Sequence, residues 1–173
     1  MRVVKAAAVQ LSPVLYSRDG TVDKVIRTIH MLGQQGVQFA TFPETVVPYY
    51  PYFSFLQPAY HIVAGREHLK LLEQAVTVPS AVTHAIGDAC KEEGMVVSIG
   101  INERDGETLY NTQLLFDADG TLIQRRRKIS PTYHERMVWG KATARVCGPS
   151  TAPSAALVSW PVGNTTTRWP ATR

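Results

Sequence analysis

The chain has 173 residues, 45% of them hydrophobic, and a formal net charge of +4, which suits one globular domain with a real core and excludes wholesale disorder. A nucleic-acid footprint is not expected, because residues 1–140 hold 14 basic and 14 acidic side chains and the excess lies in Lys141, Arg145, Arg168 and Arg173, scattered rather than gathered on one face. A membrane partner is not expected either: no apolar stretch approaches the roughly 20 residues of a span, and the short apolar run after Met1 passes into Ser12 and Pro13, as a first core strand does and a leader does not. A cytoplasmic location is expected.

Residues 3–11 read as strand one, a mostly apolar run of the kind found in sheets buried on both faces. Residues 17–20 are turn-like. Residues 22–34 carry helical spacing, with Val22, Val25, Ile26, Ile29 and Leu32 on one face and Gly33 and Gly36 at the close. Strand two is predicted over 37–42, so the chain opens in βαβ style. It ends at Pro43, which has no N–H for the ladder. Glu44 follows at the strand's carboxyl end, where open α/β sheets place ligands. Taken alone, such an acid is a solvated loop residue or a helix cap.

Residues 46–57 form an aromatic loop, Pro48-Tyr-Tyr-Pro-Tyr-Phe-Ser-Phe at its centre, with too many prolines for a long regular element. It suits a pocket for an apolar substrate or, equally, local packing or a subunit contact. Helices are predicted over 67–75 and 80–93, the second stopped by Gly94. Cys90 lies near its end and reads as a buried structural thiol, and His84 as a surface or packing residue. Cys90 and Cys147 make no metal or disulfide framework. Strands three, four and five are predicted over 95–101, 110–116 and 121–126. The turn Asp117-Ala-Asp-Gly120 joins the last two, and residues 102–107 are a polar loop.

The run from Arg125 to Lys128 has the composition of a solvated charged face. It also ends a strand and leads into Pro131, a histidine and Glu135. Lys128 leaves a strand end as Glu44 does, so the two can converge at one rim of a sheet, and Glu135 can join them from the loop.

Glu44 after its strand, Lys128 in Arg-Arg-Lys-Ile-Ser-Pro-Thr, and Tyr133-His-Glu-Arg-Met-Val-Trp-Gly140 together resemble the nitrilase (carbon–nitrogen hydrolase) superfamily, over about residues 3–140. The Lys-x-x-Pro-Thr-x-x-Glu-Arg pattern and the aromatic loop look like the nitrilase branch more than the amidases. The resemblance implies an α/β fold, the N-terminal half of an α-β-β-α sandwich. It implies a Cys-Glu-Lys mechanism on a small-molecule nitrile, with no metal or organic cofactor. Glu44 would then be the general base, Lys128 the stabiliser of developing charge, and Glu135 the group that positions Lys128 or the substrate. It also makes homo-oligomers possible.

The family's Cys-Trp-Glu segment does not follow Gly140 in frame. Cys147 stands in Arg-Val-Cys-Gly-Pro-Ser, the wrong motif and too early. Residues 141–173 contain no acid and are rich in Ala, Thr, Pro and Ser. They are expected to be an aberrant, disordered tail. Back-translated and read one nucleotide upstream, the codons spanning Pro161, Val162, Gly163 and Asn164 permit Cys-Trp-Glu-His. A one-nucleotide deletion near codon 141 is therefore expected, and with it a truncated chain lacking the nucleophile.

Overall fold

The computed structural model describes residues 3–143; Cys147 and nearly all of the segment 141–173 lie outside the described residues. The chain forms one five-stranded sheet, ordered β1 (Ala6–Ala8), β2 (Phe39–Thr41), β3 (Val96–Asp105), β4 (Thr108–Phe116) and β5 (Leu122–Arg127). The β1–β2 and β2–β3 pairs are parallel, and the β3–β4 and β4–β5 pairs antiparallel. Helices α1 (Arg18–Gln34), α2 (Phe53–Leu56), α3 (Ala59–Ala64), α4 (Glu67–Gln74) and α5 (Ala81–Glu93) complete it, with a short 3-10 helix at Tyr133–Met137. One sheet with one layer of helices is half of an α-β-β-α sandwich.

The core lies between the sheet and the pair α1 and α5. Val25 and Ile29 of α1, Ile86 and Cys90 of α5, and Val97, Ile99, Ile101, Leu114 and Phe116 of the sheet have essentially no exposed surface. Cys90 is thus a core thiol, and burial pushes its pKa up to about 12. The thiolate that nucleophilic chemistry needs is disfavoured there.

Several elements differ from the sequence reading for local reasons. Helix α1 starts at Arg18, not at residue 22, because Ser17 is extended and its hydroxyl accepts the Gly20 N–H at 3.1 Å. The turn-like residues are a helix cap and first turn. Ser17→Ala is expected to lower stability by about 1 kcal/mol, read as a shift in urea midpoint at unchanged slope. Strand β1 is only three residues long, and Ala6 and Ala8 are exposed while Ala7, Val9 and Leu11 pack on the core. It is an edge strand covered on its helix side, not one buried on both faces.

The predicted polar loop 102–107 is mostly strand. Strand β3 runs to Asp105 and pairs directly with Thr108, leaving Gly106 and Glu107 as a two-residue hairpin turn with Gly106 at φ +59°. That extension carries Glu103 into the ladder, fully buried on the helix face. Its carboxylate receives Thr112 Oγ1 at 2.7 Å and the guanidinium groups of Arg125 and Arg127. The charge run is therefore not a solvated face. Strand alternation sends Arg125 and Arg127 to Glu103, and Arg126 and Lys128, both buried, to the opposite face. Arg127 also lies over the Tyr110 ring, 3.9 Å from its centroid.

Candidate active site

Glu44 sits on an arch. Phe42 N donates to Ser98 O at 2.8 Å, and Val47 N donates to Gly100 O at 3.3 Å, so the chain leaves β3 after Phe42 and rejoins it at Val47. Residues Pro43 to Val46 span the gap, with Thr45 in the left-handed region at φ +43°. The arch closes onto Gly100: a Cβ there would stand 2.7 Å from Pro43 O and 2.9 Å from Glu44 C, and closer still to Thr45 N. Only a glycine leaves room for this approach.

Lys128 is the first residue beyond β5, and its N–H continues the ladder to Asn111 O at 2.7 Å. Glu135 lies in the 3-10 helix rather than in an irregular loop. Thr132 caps that turn reciprocally with Glu135, and Thr132 N donates to Glu135 Oε2 at 2.5 Å. The signal was present as Thr-x-x-Glu, a capping box.

The three predicted residues meet. Lys128 Nζ lies 2.9 Å from Glu44 Oε1 and 2.9 Å from Glu135 Oε2. Its side chain is 2% exposed, that of Glu135 5% and that of Glu44 23%. Glu44 is thus the member of the trio that reaches open space. It borders a cavity of about 510 Å³ lined also by Pro43, Tyr50, Tyr52 and Phe55. The aromatic loop does face this space.

Four further residues hold the site; Tyr50 and Trp139 lie in stretches the sequence singles out, without these contacts, and Asn102 and Asn111 carry no local signal. Asn111 Nδ2 donates to Glu44 Oε1 at 2.6 Å. Tyr50 OH donates to Glu135 Oε1 at 2.7 Å. Asn102, directly opposite Asn111 in the β3–β4 register, accepts from Trp139 Nε1 and donates to Tyr49 O, both at 2.8 Å. Trp139 packs edge-on to Tyr50, with centroids 5.5 Å apart. Burial, then the hydrogen bond to Glu135, then the Glu135 and Glu44 charges raise the Tyr50 pKa well above the usual phenol value, so its hydroxyl stays a donor. Tyr50→Phe is expected to cost about 1.5 kcal/mol in urea unfolding, at the low end for a bond to a carboxylate because Tyr50 is only half-buried. A cost indistinguishable from zero would mean that Glu135 finds another donor at once.

The arrangement can take a proton at Glu44 beside an apolar-walled space while a buried ammonium faces charge developing there.

Comparison with known proteins follows the same lines. The carbon-nitrogen hydrolase family model matches residues 5–168, running on past Gly140. A protein named nitrilase 3, from an unknown prokaryotic organism, is 74% identical over 141 residues, which are 82% of this chain and 43% of that protein. A nitrilase of Paraburkholderia phymatum is 49% identical over 162 residues, 92% of this chain and 47% of that protein. The chain thus spans less than half the length of these relatives. Among solved structures, Saccharomyces cerevisiae Nit3, described as a member of branch 10 of the nitrilase superfamily, aligns with a TM-score of 0.60 at 18% identity. That alignment covers 81% of this chain and 49% of Nit3, a likeness of fold.

Proposed function

Because the chain belongs to the carbon–nitrogen hydrolase family, we propose that its described part is the Glu-Lys-Glu portion of a nitrile-hydrolysing site. Glu44 is the general base, Lys128 the electrostatic stabiliser and Glu135 the acid that fixes Lys128. One observation carries this reading: a buried ammonium lies 2.9 Å from each of two carboxylates, one of which opens onto an aromatic-lined cavity.

The chemistry requires a thiol. Its proton passes to Glu44 as sulfur bonds to the nitrile carbon, and the displaced π pair on nitrogen is protonated in turn, giving a thioimidate. Water, deprotonated by Glu44, adds to that carbon, and ammonia leaves to give a thioester. A second water releases the carboxylic acid and restores the thiol. Lys128 faces the negative charge that builds at each addition. Tyr50, Tyr52 and Phe55 suit an aromatic or arylaliphatic nitrile.

The thiol belongs to the Cys-Trp-Glu-His that the shifted codons at 161–164 permit. We infer that residues 141–173 are read out of frame after a one-nucleotide deletion near codon 141. The absence of any acid in that segment supports this, while the family match to residue 168 and the 162-residue alignment with the Paraburkholderia phymatum nitrilase run against it. Sequencing codons 138–165 tests it. An intact frame in several independent clones, without a Cys-Trp-Glu continuation, would overturn it and leave a natural C-terminal variant.

A second reading concerns the 173-residue chain as it stands: an inactive remnant, able at most to associate with full-length subunits. Large apolar side chains exposed on α2 and α3, among them Leu56, Tyr60 and Val63, favour it. The two readings separate on ammonia release from aromatic and aliphatic nitriles. The 173-residue chain is expected to match its Glu44→Ala variant, and the chain with one nucleotide restored is expected to exceed it. Turnover by the 173-residue chain above that variant would defeat the remnant reading. Failure of the restored chain would defeat the nitrilase reading.

A further inference from the structure

We propose that Asn111 is a positioning residue that divides the Glu44 carboxylate into a held oxygen and a working oxygen. The proposal rests on the reading of Glu44 as a base, and it adds which of its oxygens works and what makes it so.

Among the described residues, both hydrogen bonds to Glu44 fall on one atom. Asn111 Nδ2 reaches Oε1 at 2.6 Å and Lys128 Nζ reaches the same Oε1 at 2.9 Å. Two donors on one oxygen fix the rotation of the carboxyl group about its last bond, a torsion that is otherwise broad. Oε2 is left to take the proton.

Lys128 alone would not do this. A lysine ammonium on a four-carbon stem is a compact charge that follows a rotating carboxylate and serves either oxygen. The Asn111 amide is planar, held on a strand and 3% exposed. It is also tied to the same lysine: Asn111 O accepts Lys128 N at 2.7 Å. One residue thus sets the backbone of the cation with its carbonyl and the carboxylate of the base with its side chain. Asparagine suits the task because its amide donates without adding charge beside Lys128.

The place in the sheet supports a dedicated role. Asn111 lies inside β4 on the face opposite the helices, where a polar side chain gains nothing from water. Two residues on, Gln113 donates to Ser98 Oγ at 2.8 Å on the same face, and among the described residues no hydrogen bond joins its side chain to Glu44.

The test has two arms. In the ¹⁵N-labelled 173-residue chain, the Asn111 side-chain amide is expected to exchange far more slowly than an exposed asparagine, and to lose that protection in Glu44→Ala but keep it in Gln113→Leu. Exchange at the exposed rate, or indifference to Glu44→Ala, would overturn the proposal. In the frame-restored enzyme, Asn111→Leu is expected to lower kcat about 100-fold, the cost of a reacting group misplaced by about 1 Å. KM should change less than twofold, and Gln113→Leu should leave kcat in place. A kcat of Asn111→Leu equal to that of the parent would also overturn it. If the frame-restored parent shows no turnover, the nitrilase reading fails by itself, and the amide exchange still decides whether Asn111 holds Glu44.

Discussion

Gly100→Ala is expected to destabilise the chain by about 3 kcal/mol and to open the arch that carries Glu44. Overpacking by one methyl group ordinarily costs about 1–3 kcal/mol because side chains can give way. Here the atoms that meet the new Cβ are Thr45 N, Pro43 O and Glu44 C, all backbone. The arch is pinned on both flanks, by Phe42 N to Ser98 O and Val47 N to Gly100 O, and its middle residue already holds φ +43°. It therefore has no slack, and the upper end of the range applies. Relief requires the arch to part from β3, which breaks the Val47–Gly100 bond and the reciprocal Asn102 N to Val47 O bond at 2.7 Å. The Glu44–Lys128 contact should lengthen with it. Gly106→Ala is the control. It meets no atom within 4 Å and bears only the strain of a non-glycine residue at φ +59°, about 1 kcal/mol. Urea unfolding of the two variants measures the difference, and a Gly100→Ala midpoint equal to that of Gly106→Ala would show that the arch is not constrained as described.

The contrast between Glu44 and Gly100 shows what a sequence exposes. Glu44 and Lys128 each stand just past a strand end, beside a proline or a charge cluster, and Glu135 sits inside a 3-10 turn that its own Thr-x-x-Glu pattern caps, so local chemistry marks all three. Gly100, Asn102 and Asn111 lie inside strands, and their importance depends on the cross-strand register. The pairing of Asn102 with Asn111, or the passage of Pro43–Thr45 over Gly100, is written in no short window. Tyr50 stands in an aromatic loop whose composition suits a pocket or, equally, local packing or a subunit contact, and its hydroxyl meets Glu135, 85 positions away. Contacts at that separation come from topology, which local periodicity does not encode.

The arginines of the Arg125–Lys128 run depart from the solvated face their composition suggests for a different reason, while Lys128 does meet Glu44. The run's alternation was legible, since a strand must send Arg125 and Arg127 one way and Arg126 and Lys128 the other. The missing piece was the partner. Asn102-Glu-Arg-Asp105 has low β propensity and reads as a loop, yet pairing with β4 makes it strand. With Glu103 in a loop, the arginines had no buried carboxylate to meet. Tertiary pairing overrode propensity, and one wrong element boundary hid an ion cluster.

That cluster makes the second large prediction. Glu103→Gln keeps the side chain's shape, retains one acceptor and removes the charge between Arg125 and Arg127. Breaking a buried ion pair by removing one partner costs about 3–5 kcal/mol, because the charge left behind is uncompensated. Arg125 is 34% exposed and its charge is partly screened, and Arg127, 11% exposed, keeps the exposed Asp105 carboxylate at 2.7 Å, so no more than about 3 kcal/mol, the low end of that range, is expected at pH 7. The pH dependence has a definite sign. Burial by itself would raise the Glu103 pKa, but the hydrogen bonds from Arg125, Arg127 and Thr112 outweigh it and hold the carboxyl below its usual value. A carboxyl whose pKa is lower folded than unfolded contributes stability above its unfolded value, near 4.3, and loses it as the pH falls through the folded one. The gap between wild type and Glu103→Gln should therefore be widest above about pH 5 and narrow steadily below about pH 4. Glutamine cannot titrate, so the narrowing must come from the wild type. Urea midpoints of both chains at pH 7, 5, 4 and 3.5 measure it. A gap that stays constant down to the lowest pH would mean that Glu103 is not held ionised by the arginines, and a gap that widens would reverse the sign of the argument.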